Sequence, residues 1–129
     1  MAHKLRLRRI QERFAICKLP PDDSFPPWAV SGVIWSVTRT PTELSLVCVQ
    51  ANLPAGFAAE RDWRALQVVG PLPFEMVGVL ASVAAPLADA GVSIFAISTV
   101  ETDFILVREQ SFEKACQILV QGGHLVLEA

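Results

Sequence analysis

The first periodic segment of the chain is RFAICKL, where Phe14, Ile16 and Lys18 alternate with Ala15, Cys17 and Leu19. A two-residue period predicts a strand, and Pro20-Pro21 stops it. The following PPDDSFPPWAVSG holds four of the nine prolines. That allows a turn or a single helical turn, but neither a long helix nor an inner strand; Trp28 is its expected anchor in the core. VIWSVTR and ELSLVCVQ are β-branched and aliphatic runs separated by the polar Thr40-Pro41-Thr42, the pattern of an antiparallel pair. ANLPAGFAAERD mixes breakers with helix formers and predicts a short helix or a loop. WRALQVVG is a further strand, halted by Gly70-Pro71.

Beyond Pro71 the period lengthens. From Glu75 to Asp89, the residues Val77, Leu80, Ala84 and Leu87 recur at spacings of three, four and three, one face of a helix, with Gly91 as its cap. Pro86 removes the hydrogen bond to the Ser82 carbonyl and should loosen the last turn. VSIFAIST and DFILVRE predict two strands joined through Val100-Glu101-Thr102. Ser111 is a candidate N-cap for a second helix carrying Phe112, Ala115, Cys116 and Leu119 on one face and closed by Gly122-Gly123. HLVLEA can supply a closing edge strand.

From Trp63 the order is strand, helix, strand, strand, helix, strand, the split βαβ arrangement. It predicts an α+β fold with an antiparallel sheet and its helices on one face. Residues 1–62 form an N-terminal half with poorer helices and residues 63–129 the complete C-terminal domain, the two packed as one compact unit. The opposite face of so apolar a sheet needs a cover. A second copy of the chain is the economical one, so a homodimer is expected.

At 129 residues, 52% hydrophobic and 19% charged, the chain is a folded protein of single-domain size. Eleven Lys and Arg against thirteen Asp and Glu give a net charge of −2, which provides no basic field for nucleic acid or an anionic membrane. No uncharged run reaches the ~20 residues that span a bilayer. The opening MAHKLRLRRIQERF holds five of the eleven basic residues, yet no signal-type apolar stretch follows, so it reads as a basic lead-in to the first strand. Cys17, Cys48 and Cys116 are odd in number, far apart and set in apolar runs. They read as reduced small hydrophobes of a cytoplasmic protein. His3 and His124 sit at opposite ends without Cys or acidic neighbours at metal spacing; both are expected to be exposed, and neither a metal nor a cofactor is expected.

No nucleophile elbow, zinc-protease motif, phosphate loop or dinucleotide fingerprint is present. With two histidines and no tyrosine, acid–base work would fall to carboxylates. Asp22 and Asp23 are adjacent, so on an extended chain they point opposite ways and read as a solvated turn. Glu101 and Asp103 share one side of a strand mouth. The candidate chemistry gathers in PLPFEMVGVLA and AGVSIFAISTVETDFILVREQSFEKA. A helix that starts after a proline-rich turn offers unpaired N–H groups and a positive dipole end to a carboxylate, with Gly78 admitting close approach to the backbone. Ser93, Thr99, Thr102 and Asp103 offer hydroxyls and an anion to an ammonium group. Both ends of a free amino acid are provided for, although the same residue types also serve simply as turn chemistry and helix packing.

GVSIFAISTVETDFILVRE, with its upstream PFEMVGVLASVAAPLADA, resembles the ACT domain, specifically the small bacterial paired-ACT proteins and the ACT repeats of the animal arginine sensors. WSVTRTPTELSLVC resembles the preceding half-repeat in that group. The resemblance implies a ferredoxin-like βαββαβ ACT domain preceded by a degenerate ACT-like half-repeat. It also implies a non-catalytic regulatory or sensor protein that holds an amino acid at an interface between ACT units. By position, it implies one wall of the site from Ser93 and Ile94 and a second from Thr99, Val100 and Asp103, with Asp103 on the ligand's charged nitrogen. A loop of Glu75, Met76, Val77 and Gly78 would wrap the ligand. Val100 stands where an aromatic residue is usual, and Met76-Val77 where a hydroxyl residue often precedes the glycine, which leaves the ligand's side chain open. In the sensors the two walls come from different repeats, so here they meet only across a dimer. The rivals are a ligand-free interaction module regulating a partner enzyme, and an enzyme of small carboxylates using Glu101 or Asp103 as base.

Overall fold

The structure is a computed structural model describing residues 3–73 and 75–129. In chain order its elements are β1 (Arg6–Leu19), β2 (Ser36–Arg39), β3 (Leu44–Val49), β4 (Glu60–Val68), α1 (Val79–Asp89), β5 (Phe95–Ser98), β6 (Asp103–Arg108), α2 (Glu109–Gln121) and β7 (Leu125–Leu127). Internal packing divides the chain into two compact units. One joins the start of the chain up to Gln11 to Arg64–Ala129; the other is Glu12–Trp63.

The first unit has the expected order from β4 to β7, an antiparallel sheet with two helices. β5 pairs antiparallel with β6, Phe95 opposite Leu106 and Ser98 opposite Asp103, and ends the strand order as an edge. The basic lead-in is itself strand. Leu5 and Leu7 are buried while Arg6 and Arg8 are exposed, a period-two pattern that the first periodic run concealed. This stretch lies between β4 and β7 and runs parallel to β7, Arg6 opposite Leu125.

Leu5, Leu7, Leu66, Val68, Ile105 and Val107 project to one face, where Val79, Val83 and Leu87 of α1 and Phe112, Ala115, Cys116 and Leu119 of α2 cover them. The α2 stripe is the predicted one, although the helix starts at Glu109 and Ser111 lies inside it. The α1 stripe differs. Gly78 has a φ of 83°, a left-handed conformation that interrupts the helical path, so the helix begins at Val79 and Glu75–Val77 are not helical. Val77 is consequently 84% exposed. Strand alternation sends Ala65 and Leu106 to the face away from the helices, and both are buried within the single chain. The centre of that face therefore needs no second copy to cover it.

The second unit has no α-helix among its described residues. β2 pairs with β3 and β3 with the second half of β1, all antiparallel, Ser36 opposite Val47 and Cys17 opposite Leu46. Its small core is Ala15, Cys17, Ala29, Leu44, Leu46 and Cys48, with Trp28 packed against it as expected. The Trp28 and Phe57 rings meet edge-on, 5.0 Å between centroids. The proline-rich segment forms one 3-10 turn, Pro27–Ala29. Gly32 is required after it, because a Cβ there would lie 2.6 Å from Val49 Cγ2. The Arg39 guanidinium donates to the carbonyls of Pro21 and Asp23 and fastens the exposed Asp22-Asp23 turn.

The histidines depart from expectation. His3 is half-buried and His124 is buried, with His124 Nε2 3.1 Å from the Ser82 carbonyl, the one that Pro86 leaves without a helical donor. Among the described residues, no group of His, Cys, Asp and Glu is placed to hold a metal, and no helix is long and apolar enough to cross a membrane.

Candidate functional site

The β5–β6 connection is residues 99–102, and Thr99 organises it. Its N–H donates to the Thr102 carbonyl at 2.8 Å. Its hydroxyl donates to the same carbonyl and accepts the Thr102 N–H, each at 3.2 Å. The Thr99 hydroxyl proton is therefore used inside the turn. The strand register sets Ser98 opposite Asp103, and Ser98 Oγ donates to Asp103 Oδ1 at 2.6 Å, which fixes the carboxylate. Thr102 is buried, and its hydroxyl donates to the Val68 carbonyl of β4.

The chain leaving β4 is tied to this hairpin end. The Leu72 N–H donates to the Glu101 carbonyl at 2.8 Å. A Cβ on Gly70 would sit 2.9 Å from that same oxygen, so glycine lets the two segments close on each other. Between them lies a cleft of about 180 Å³, with Leu72, Pro73, Met76 and Val79 on one side and Ser98 to Asp103 on the other. Glu101 and Asp103 are its charged residues, and no basic side chain is among its described lining. Val79 opens α1 at the cleft. The helix has no side-chain cap and no acidic residue in its first turn, and its first ladder bond is Ser82 N–H to Gly78 C=O, 3.0 Å. The amides before Ser82 thus lack intrahelical acceptors, and no acidic side chain of the first turn offsets the positive helix end.

Of the residues that the sequence points to, Met76, Thr99, Val100, Glu101, Thr102 and Asp103 line this cleft. Glu75, Val77 and Gly78 are exposed in the adjoining turn and do not line it. Ser93 and Ile94 precede β5, at the end of that strand away from the hairpin. Ser93 is exposed there, while Ile94 packs against the core. Within one chain the two expected walls therefore do not meet. Ser98 was not singled out, although hairpin register with Asp103 would have found it; Leu72 and Pro73 carry no local signal.

A second cleft, of about 340 Å³, lies beside α2 and β7 and is lined by Arg9, Glu113, Cys116, Val120, Val126 and Glu128 among others. Arg9 makes a two-pronged bond to Glu113, 2.8 and 2.7 Å, and its Nε is 3.3 Å from Glu128. Arg9 and Arg64 lie over the Phe112 ring, 5.3 and 4.4 Å from its centroid. The hydrogen bond from Arg9 holds the Glu113 carboxyl below its ordinary value, and burial pushes the Cys116 thiol up. Both carboxylates of this cleft pair with Arg9.

Residues 58–121 match the ACT domain family, and residues 12–56 match a family described as an N-terminal domain. The crystal structure of protein Atu0741 from Agrobacterium tumefaciens is similar over 99% of this chain and 96% of that one, at 33% identity and a TM-score of 0.93. The Bos taurus cytosolic arginine sensor for mTORC1 subunit 1 is 36% identical over 98 residues, 67% of this chain and 30% of the sensor. The regulatory subunit of aspartate kinase from Thermus thermophilus shares the fold at 16% identity and a TM-score of 0.57, over 86% of this chain and 93% of that one. The chain spans 30 to 53% of the length of the first curated relatives it matches.

Proposed function

The chain belongs to the ACT-domain family, and from that premise we propose that the hairpin cleft binds a free amino acid and that the protein is a non-catalytic regulatory sensor of the cytoplasm. One observation carries the reading. Two carboxylates, Glu101 and Asp103, line a cleft without a basic residue in its described lining, beside an uncapped helix start. The carboxylates suit the ligand's ammonium or other charged nitrogen, and the helix start suits its carboxylate. The arginine sensor and the kinase regulatory subunit, as named, lend weight to amino-acid regulation. Three buried free cysteines accord with a reducing compartment.

The cleft's 180 Å³ is below the roughly 300–1,000 Å³ usual for small-molecule pockets, which favours a site completed by a second copy. The β5 edge supplies a route. Antiparallel pairing of two copies about a two-fold axis at Ala96 would set Ile94 against the partner subunit's Ser98 and Ser93 against the partner subunit's Thr99. An axis at Ile97 would set Ile94 against the partner subunit's Val100. Either register brings the two expected walls together, helices on the same side.

A thermal-shift screen against the twenty amino acids tests the ligand. A true ligand at 100 times its Kd adds about 2.7 kcal/mol and raises the midpoint by several degrees, and Asp103→Ala removes the shift. No shift with any of the twenty would sink the sensor reading and favour a ligand-free interaction module, for which the 84% exposed Val77 and 74% exposed Val100 beside the cleft are the supporting feature. The dimer is tested by sedimentation and by oxidation of Ala96→Cys and Ile97→Cys, one of which should cross-link. A monomer at all concentrations overturns that half of the proposal.

A further inference from the structure

Pro86 breaks the α1 ladder at one place. It has no N–H, and its ring crowds the carbonyl four residues back, that of Ser82. His124, 6% exposed, meets that carbonyl: its Nε2 is 3.1 Å from Ser82 O and its Nδ1 is 3.1 Å from Leu5 N. A backbone N–H only donates, so Nδ1 accepts, the ring proton sits on Nε2, and Nε2 donates to the Ser82 carbonyl. Both ring nitrogens are used in the neutral form.

Ser82 carries the connection onward. Its Oγ accepts the His3 N–H at 3.0 Å and donates to the Gly78 carbonyl at 2.9 Å. His3 Nε2 lies 2.6 Å from the Val77 carbonyl. The turn before α1 and the helix's first turns are thus tied to residues 3–5 and to His124, while Met76 and Val79 of the same stretch line the hairpin cleft.

We infer that His124 is a positioning residue for that cleft. Through Ser82 it fixes the turn at residues 76–78 and the start of α1, and so sets the wall a ligand is held against; this rests on the cleft being the ligand site. The device depends on Pro86. With an N–H at position 86, the Ser82 carbonyl would have a donor within the helix and His124 no exclusive acceptor.

The test is a double-mutant cycle on the full chain, His124→Asn with Pro86→Ala, and His124→Gln as the rescue. The Asn oxygen can stand in for Nδ1 toward Leu5 but offers no donor at Ser82, whereas the longer Gln amide reaches it. The readouts are residue-resolved amide exchange and affinity across the twenty amino acids. His124→Asn should speed exchange at Ser82 and Val83 about tenfold more than at Leu119 of α2, the factor expected for one lost buried bond, and weaken ligand affinity. His124→Gln should restore both. The effect should shrink in the Pro86→Ala background, a non-additivity reserved for coupled sites. Equal acceleration in α1 and α2, an unchanged effect with Pro86→Ala, or altered exchange with unaltered affinity each overturns the inference. Should no amino acid bind the unmutated protein, the ligand reading fails by itself, and a positioning role at a ligand site falls with it, while exchange still decides whether His124 holds the turn.

Discussion

The two clefts of the helix-bearing unit differ in what has been done with their charge. Beside α2, Arg9 is held by Glu113 and Glu128 and lies with Arg64 over Phe112. At the hairpin, Glu101 and Asp103 face no basic residue in the described lining, and a serine hydroxyl bonds Asp103. In the larger cleft both carboxylates thus pair with a guanidinium, whereas in the smaller neither carboxylate meets a basic residue of the described lining. Cleft size alone would point to the larger one; the pairing of charges within each cleft is what favours the smaller in the proposed reading.

Substitutions should separate the two. Phe112→Ala removes a fully buried core ring from beneath both guanidinium groups and should cost about 3–5 kcal/mol in urea unfolding. Asp103→Ala should leave the stability of the free protein almost unchanged yet eliminate the roughly 2.7 kcal/mol that a ligand at 100 times its Kd contributes. A large stability loss there would mean that Asp103 holds the hairpin and not a ligand. Thr102→Val removes the hydroxyl donor to the Val68 carbonyl and should cost about 1 kcal/mol, with weakened ligand affinity as the hairpin loosens from β4.

The smallest effect is in acid. The folded-state value of Glu113 is lowered by Arg9, so its contribution is present above the unfolded carboxylate value and is lost as pH falls through the folded one. Urea midpoints measured from pH ~6 to ~3 should decline slightly less for Glu113→Gln, because an exposed pair is screened by water.

Much of this was legible in the chain. The α2 stripe Phe112, Ala115, Cys116 and Leu119 was read correctly because it is unbroken by glycine or proline. The stripe of α1 was displaced because Val77 fits the helical period yet precedes Gly78, whose left-handed φ ends the pattern. Asp103 and Thr99 are placed at the hairpin by local register, which the sequence carries. Leu72 and Pro73 are not, because their place depends on a bond from Leu72 to Glu101 across 29 residues of sequence (101 − 72) and on the absent side chain of Gly70. The burial of His124 is hidden from the sequence for a related reason. Pro86 visibly frees a carbonyl, but which donor meets it is a tertiary matter.

The pairing of β1 with β7 also imposes an order in time. Leu5 and His124, 119 positions apart, meet at the head of that parallel pair, so the helix-bearing unit cannot close until its strand at residues 125–127 has been made. The unit of Glu12–Trp63 is one uninterrupted stretch, rich in antiparallel neighbours close in sequence. Low sequence separation lets such contacts form early, whereas distant pairings wait on loop closure. During synthesis, then, the proline-rich unit is the one able to fold first, and the cleft-bearing unit can lock only after residues 124–127 have emerged.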